Sequence, residues 1–138
     1  LRGGVVVGIG APVDTFTCHD IGTDVSLGNQ AVSMLPVAGM NAVQLRVRTT
    51  ASNNGFLGTN GIGAGGNVNN NASNTSSLQQ LWIPQQVSSD GGPLLQLVNA
   101  ASGLCVTAPA AAGTTTVQAC TGTAAAQTYW YPVGLPFP

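Results

Sequence analysis

Leu94-Leu95-Gln96-Leu97-Val98-Asn99-Ala100-Ala101-Ser102-Gly103-Leu104-Cys105-Val106-Thr107 is followed by Val117-Gln118-Ala119-Cys120 and by Gln127-Thr128-Tyr129-Trp130-Tyr131-Pro132. The reading of this stretch decides the fold. Leu94 to Val98 is an apolar run of strand length, and Asn99 to Gly103 is a polar turn. A second short strand is expected from Leu104 through Cys105, a third over Val117 to Cys120, and an aromatic fourth over Tyr129 to Tyr131. Four short β segments with turns between them make one unit.

The unit recurs. A shift of 48 positions carries Gly55 onto Gly103, Thr59 onto Thr107, Gly65 onto Gly113 and Thr75 onto Thr123 without a gap. The same shift carries Gln79 onto Gln127, Trp82 onto Trp130 and Pro84 onto Pro132. A further shift brings Pro84 onto Pro36, with Met34 and Leu35 standing where Trp82 and Ile83 stand. Three closing strands, each a large apolar pair before a proline, then lie at equal spacing. Threefold internal repetition in a β chain of 138 residues predicts an all-β fold, a β-trefoil of three pseudo-repeats of about 48 residues. The expected organisation is a single domain over 1–138, with lobes over about 5–36, 43–84 and 94–132 and a Pro-rich tail over 133–138. The first lobe is abbreviated, with Val5 to Ile9 as its first strand and Thr15 to Cys18 as its second.

In the second lobe, Val43 to Arg48 alternates. Val43, Leu45 and Val47 are expected inward, with Gln44, Arg46 and Arg48 outward. Thr49 to Gly55 reads as a turn and Phe56-Leu57 as the next strand. Gly58 to Ser77 reads as an irregular Gly/Asn-rich loop with one short strand near Val68.

The segments Val98 to Cys105 and Val117 to Cys120, with the closing Gln and Trp, resemble one repeat of the ricin-B-type (QxW) lectin family. The resemblance covers 94–132 best, then 43–84, and 5–36 least. It implies the trefoil, and it implies a disulfide between Cys105 and Cys120 within one repeat. A bond closing so short a loop contributes roughly 3 kcal/mol. Cys18 is then left over, to be buried, free or bonded to another chain. Gln80-Leu81-Trp82 fits QxW as written. In the third lobe Gln127 lies three before Trp130 and two before Tyr129, which leaves open which aromatic fills the Trp position. Trp82 and Trp130 are expected as core anchors, and Gln79, Gln80 and Gln127 as partners of buried backbone.

Sugar binding is what the resemblance implies for function. In sugar-competent repeats an Asp after the Cys accepts hydrogen bonds from two sugar hydroxyls, an aromatic ring stacks on the apolar sugar face, and an Asn or Gln completes the pocket. This chain departs from that pattern. Thr107 and Thr59 hold the Asp position, and Ala119 holds the aromatic position beside Gln118. The second lobe offers Asn69, Asn70 and Asn71 without a ring. The first lobe keeps carboxylates: His19 and Asp20 follow Cys18, and Asp24 is a second choice. The candidate sugar-binding residues are therefore Asp20, His19, Asp24 and Gln118, for a galactose-type glycan.

Composition supports the class. Lys and Arg total 3, Asp and Glu total 4, and charged residues make up 5% of the chain, against about 25% in an ordinary domain. Every one of these is Arg or Asp, so the strong helix formers Lys and Glu are absent, which disfavours long solvent-facing helices. A net charge of −1 offers no footprint for nucleic acid and little repulsion between copies. No apolar run is long enough for a transmembrane helix. Two sequons, Asn71-Ala72-Ser73 and Asn74-Thr75-Ser76, mark Asn71 and Asn74 as N-glycosylation acceptors on a surface loop. A removed signal peptide, a propeptide cut or a fusion scar would each give a chain opening on Leu1-Arg2-Gly3-Gly4. Together these features predict a secreted protein.

Enzyme chemistry has little to work with. There is one His and no Glu or Lys, so acid–base and metal options are few. Cys18 and His19 are strand neighbours and point to opposite faces. Asp14, Asp20 and Asp24 lack the Gly and closing Glu of a calcium loop. Gly61 to Gly66 spells G-x-G-x-x-G but precedes no helix. The expected protein is non-enzymatic, without cofactor or metal, and its partners are glycans or copies of itself. The alternative to a lectin-like module is a self-assembling extracellular subunit that keeps the fold without a working sugar site, with the tail Leu135 to Pro138 docking head-to-tail. A weaker third option is a protease inhibitor.

Overall fold

A computed structural model describes residues 9–15, 32–47, 55–87, 94–122, 125–127 and 129–130. Eleven short strands lie among them: β1 (Asp14–Thr15), β2 (Val32–Pro36), β3 (Val43–Val47), β4 (Gly55–Thr59), β5 (Val68–Asn71), β6 (Trp82–Val87), β7 (Leu94–Asn99), β8 (Cys105–Thr107), β9 (Gly113–Thr114), β10 (Thr116–Gln118) and β11 (Tyr129–Trp130). Two 3-10 turns, Leu78–Gln80 and Ala125–Gln127, complete the described elements, and no α-helix occurs among them. The protein is all-β.

Nine strands form one antiparallel sheet in the order β10-β8-β7-β6-β3-β4-β5, with β2 on β3 and β11 on β7, and β1 pairs separately with β9. The sheet curls into a nearly closed antiparallel barrel. Closure hides strand edges that would otherwise template aggregation. Three segments far apart in sequence are tied in a ring by backbone bonds. Val13 N–H donates to the Val68 carbonyl (2.8 Å), Val68 N–H to the Thr115 carbonyl (2.9 Å), and Thr115 N–H to the Val13 carbonyl (2.7 Å). All three residues are buried, so each bond is made where water cannot substitute for it.

The core gathers Val13, Val43, Leu45, Leu57, Val68, Trp82, Leu97, Val106 and Val117, with Val32, Met34, Val47 and Leu104 packed against it. Trp82 is the largest fully enclosed side chain, and its indole Nε1–H donates to the Leu57 carbonyl at 2.9 Å. That bond satisfies the one polar atom of the ring, as expected of a core anchor. Only the pairing of Trp130 belongs to the described structure: it lies opposite Leu94, and Tyr129 opposite Leu95.

β3 departs from simple alternation. Val43 and Leu45 are buried as expected, but Gln44 is buried too, at 4% exposure. Its Oε1 accepts from Ser73 Oγ at 3.3 Å, so the strand's outward face lies under the loop after β5. Arg46 is half-buried, and Arg48 lies outside the described residues. The loop expected over Gly58 to Ser77 holds β5 where a short strand was expected, and β4 extends to Thr59.

The closing strands register differently from the proline alignment. Met34 pairs with Leu45 as Pro84 pairs with Leu97, and Pro36 pairs with Val43 as Gln86 pairs with Leu95. Val43 and Leu95 occupy matching places, since they also pair with Trp82 and Tyr129 respectively. Pro36 and Pro84 are therefore two places out of step. A two-residue slip keeps every side chain on its own face, which a one-residue slip would not. Of the expected first-lobe strands, Val5 to Gly8 and Phe16 to Cys18 lie outside the described residues, and Ile9 sits in a turn.

Two glycines are required by what packs on them. A Cβ on Gly55 would lie 1.3 Å from Asn70 Oδ1, because the buried Asn70 amide occupies that space. A Cβ on Gly58 would lie 2.9 Å from both Asn71 Nδ2 and Gln80 Cγ.

Candidate functional site

The residues that the family resemblance puts at sugar-site positions in 94–132 lie together: Thr107 at the end of β8, Gln118 at the end of β10, and Ala119 beyond it. Antiparallel pairing of β8 with β10 sets Gln118 opposite Cys105 and Thr116 opposite Thr107. Cys105 and Cys120 lie at disulfide distance, S–S 2.00 Å and Cα–Cα 5.1 Å, which staples this hairpin as the resemblance implied.

Gln127 fills the middle of the arrangement. It sits at the end of the second 3-10 turn and is 3% exposed. Its Nε2 donates to Thr107 Oγ1 (3.0 Å) and to the Ala119 carbonyl (2.8 Å). Its Oε1 accepts from Thr121 N–H (2.8 Å) and Thr121 Oγ1 (3.0 Å). Thr107 Oγ1 in turn donates to the Cys105 carbonyl at 3.0 Å. Its single proton and one lone pair are thus in use. Gln118 Nε2 donates to Thr116 Oγ1 at 3.3 Å, along its own strand. No side chain in this group is charged, so it offers a polyol no charge-assisted acceptor.

The second lobe uses Gln80 in the same way. Gln80 Oε1 accepts from Asn74 N–H (2.8 Å), and Nε2 donates to the Ala72 carbonyl (2.9 Å). Asn74, Ala72 and Gln80 thus do for this lobe what Thr121, Ala119 and Gln127 do for the third, each 47 positions earlier. The hairpins themselves hold a 48-residue offset: Thr59 opposite Val68 matches Thr107 opposite Thr116. The one-residue difference lies in the strand itself, since β10 has three residues where β5 has four, and six residues separate each of them from its 3-10 turn. The counterpart of Gln127 is consequently Gln80, not Gln79, and the counterpart of Trp82 is Tyr129 rather than Trp130. Gln79 enters through its backbone carbonyl, which accepts from Asn99 Nδ2 at 3.0 Å.

The two lobes differ at one point. Thr59, the counterpart of Thr107, is buried, and its hydroxyl has no hydrogen-bond partner among the described residues. Gly58 stands where Val106 stands, and its missing side chain gives room to Gln80. Asn69 and Asn71 belong to β5, and Asn71 Nδ2 donates to the Asn69 carbonyl at 3.0 Å.

Two polar residues matter that the sequence reading did not single out. Gln96 is buried and its Nε2 donates to the Gly122 carbonyl, as Gln44 reaches Ser73 in the second lobe. Asn99 is fully enclosed. Its Oδ1 accepts from Ala101 N–H, Ser102 N–H and Ser102 Oγ at 3.2–3.3 Å, and its Nδ2 also reaches the Leu81 carbonyl at 3.4 Å. The Asn-x-x-Ser turn letters carry the first half of that role. Nothing local encodes the second.

Asp20, His19 and Asp24, with Cys18, lie outside the described residues. Among the described residues no three His, Cys, Asp or Glu side chains gather, and no helix is long and apolar enough to cross a membrane. The chain matches no protein-family model, no curated protein and no solved structure.

Proposed function

We propose that this chain is a non-enzymatic β-trefoil module of the ricin-B type, an extracellular scaffold derived from a carbohydrate-binding module. In this reading the second and third lobes no longer hold an open sugar site. The observation that carries it is Gln127, which ties Thr107, Ala119 and Thr121 together at the positions a sugar would need. A ligand hydroxyl would have to break bonds that already satisfy the buried Gln127 amide, at about 1–3 kcal/mol for each buried group left unpaired.

The trefoil itself is supported by three things. The ring of Val13, Val68 and Thr115 joins one segment from each expected lobe. β3 to β6 and β7, β8, β10 and β11 pair by one scheme, first strand with second, second with third, first with fourth. Gln80 and Gln127 repeat one bonding role. The extracellular reading draws on the Cys105–Cys120 pair, since disulfides persist chiefly in oxidising compartments. Any galactose-type glycan then falls to the first lobe, to His19, Asp20 and Asp24.

A second reading, a self-assembling extracellular subunit, is favoured by the near-absence of charge and by Ile9, Met40, Ile62 and Leu78, each more than half exposed. A galactose-affinity column separates the two. Retention that Asp20→Ala abolishes supports a first-lobe sugar site. Flow-through of a protein that light scattering finds as a large, uniform particle supports assembly. Retention that survives Asp20→Ala and is lost in Gln118→Ala contradicts the closed third lobe.

A further inference from the structure

The two sequons are adjacent, the first starting at the end of β5 and the second lying in the loop beyond it, and the fold treats them differently. Asn71 is the last residue of β5 and pairs with Phe56. Its Nδ2, the atom a glycan would take, donates to the Asn69 carbonyl at 3.0 Å. The same nitrogen lies 2.9 Å from where a Cβ on Gly58 would stand, so there is no room for even a methyl group between them. The hydroxyl of its sequon is engaged as well, with Ser73 Oγ donating to the buried Gln44 at 3.3 Å.

Asn74 is placed the other way. Asn74, Thr75 and Ser76 are all exposed. Asn74 Oδ1 accepts from Ser76 N–H at 3.0 Å, an Asx turn that holds the side chain by its oxygen and leaves its nitrogen unused. The Asn74 backbone is fixed independently, its N–H on Gln80 Oε1 and its carbonyl on Ser77 N–H. Among the described residues no hydrogen bond engages Asn74 Nδ2.

We infer that Asn74 is an N-glycan acceptor and that Asn71, although its sequon is equally good by letter, is not one in the folded protein. Glycan attachment precedes folding, so discrimination acts on the product: a chain carrying a saccharide on Asn71 Nδ2 must turn that nitrogen away from Gly58 and the Asn69 carbonyl before β5 packs as described, whereas one carrying it on Asn74 folds unchanged. The inference rests on the extracellular reading for its natural occurrence, and the choice of site does not depend on it.

The test is expression of the full chain behind a cleavable signal peptide in a eukaryotic secretory host. Enzymatic deglycosylation in 18O-water and peptide mass spectrometry then follow, on medium and cell lysate separately. Label at Asn74 and none at Asn71 in the secreted protein is the expected result. Asn74→Gln should abolish the glycan shift of the secreted protein, and Asn71→Gln should leave it unchanged. Label at Asn71 in the secreted, disulfide-bonded protein, or an unlabelled Asn74 in the combined pool, overturns the inference. Retention in the cell with Asn74 labelled supports the acceptor assignment and counts against the extracellular reading, so the two fail separately.

Discussion

Trp82→Ala is expected to cost about 3–5 kcal/mol of folding stability, the range for truncating a large enclosed aromatic. Trp82 is fully buried at the centre of the core, against residues drawn from both lobes and from Val13. Its truncation also leaves the Leu57 carbonyl without the indole donor, and a buried acceptor without its donor costs about 1–3 kcal/mol by itself. For a total stability near the lower end of the usual range of about 5–15 kcal/mol, a loss at the upper end leaves the protein partly unfolded in water. Trp82→Phe keeps most of the apolar volume and removes the bond, so it should cost distinctly less. Urea titration followed by circular dichroism reads both, without relying on the indole being replaced. Equal midpoints for Trp82→Ala and wild type would contradict the core described above.

The second large effect is an asymmetry between two glutamines with one role. Gln127→Leu removes a buried amide that serves the Thr121 N–H, the Ala119 carbonyl and the Thr107 hydroxyl. Some of these groups regain water, so the expected loss is roughly 2–4 kcal/mol rather than the sum of the separate penalties. Gln80→Leu removes the corresponding bonds to Asn74 and Ala72, but Gln80 is only half-buried where Gln127 is buried, and both of its bonds lie at the surface. Water replaces them at little cost, and the expected loss is below about 1 kcal/mol. Guanidinium denaturation of the two single variants should therefore give clearly separated midpoints. The reverse order would mean that the second lobe, not the third, depends on its glutamine.

Much of the β architecture was legible because apolar runs and turn letters alternate. The strands expected over Val43 to Arg48 and Leu94 to Val98 appear as β3 and β7, with β7 running one residue further to Asn99, and Asn99 to Gly103 turns the chain between β7 and β8. Cys105 and Cys120 came together as the family resemblance implied. Other features were invisible because they depend on distance in space. Strand alternation set Gln44 outward, yet the loop carrying Ser73 folds over that face and buries it. The ungapped offset of 48 paired Gln79 with Gln127 by letter. Two adjacent glutamines cannot be told apart that way, and the bonds of the 3-10 turn choose Gln80. β1 pairs with Gly113–Thr114 across most of the chain, a contact no local pattern encodes. For the candidate site, the sequence identified Thr107, Thr59 and Ala119 as departures from a sugar pocket and kept Gln118 as a candidate contact. It did not reveal that Gln127 bonds Thr107, Ala119 and Thr121 together, since a glutamine letter does not say which of its atoms are in use.

In the proposed reading the third lobe keeps the sugar-module scaffold, and Gln127 closes the position a sugar would take. The most direct measurement is a titration of 15N-labelled protein with galactose and lactose, following the backbone amides of Thr107, Gln118, Ala119 and Thr121 and the side-chain amide of Gln127. No saturable shift at any of these positions is predicted, whatever happens at Asp20. Saturable shifts at Thr107 together with the Gln127 amide would contradict it, because they would mean that the bonds among these residues open to admit a sugar.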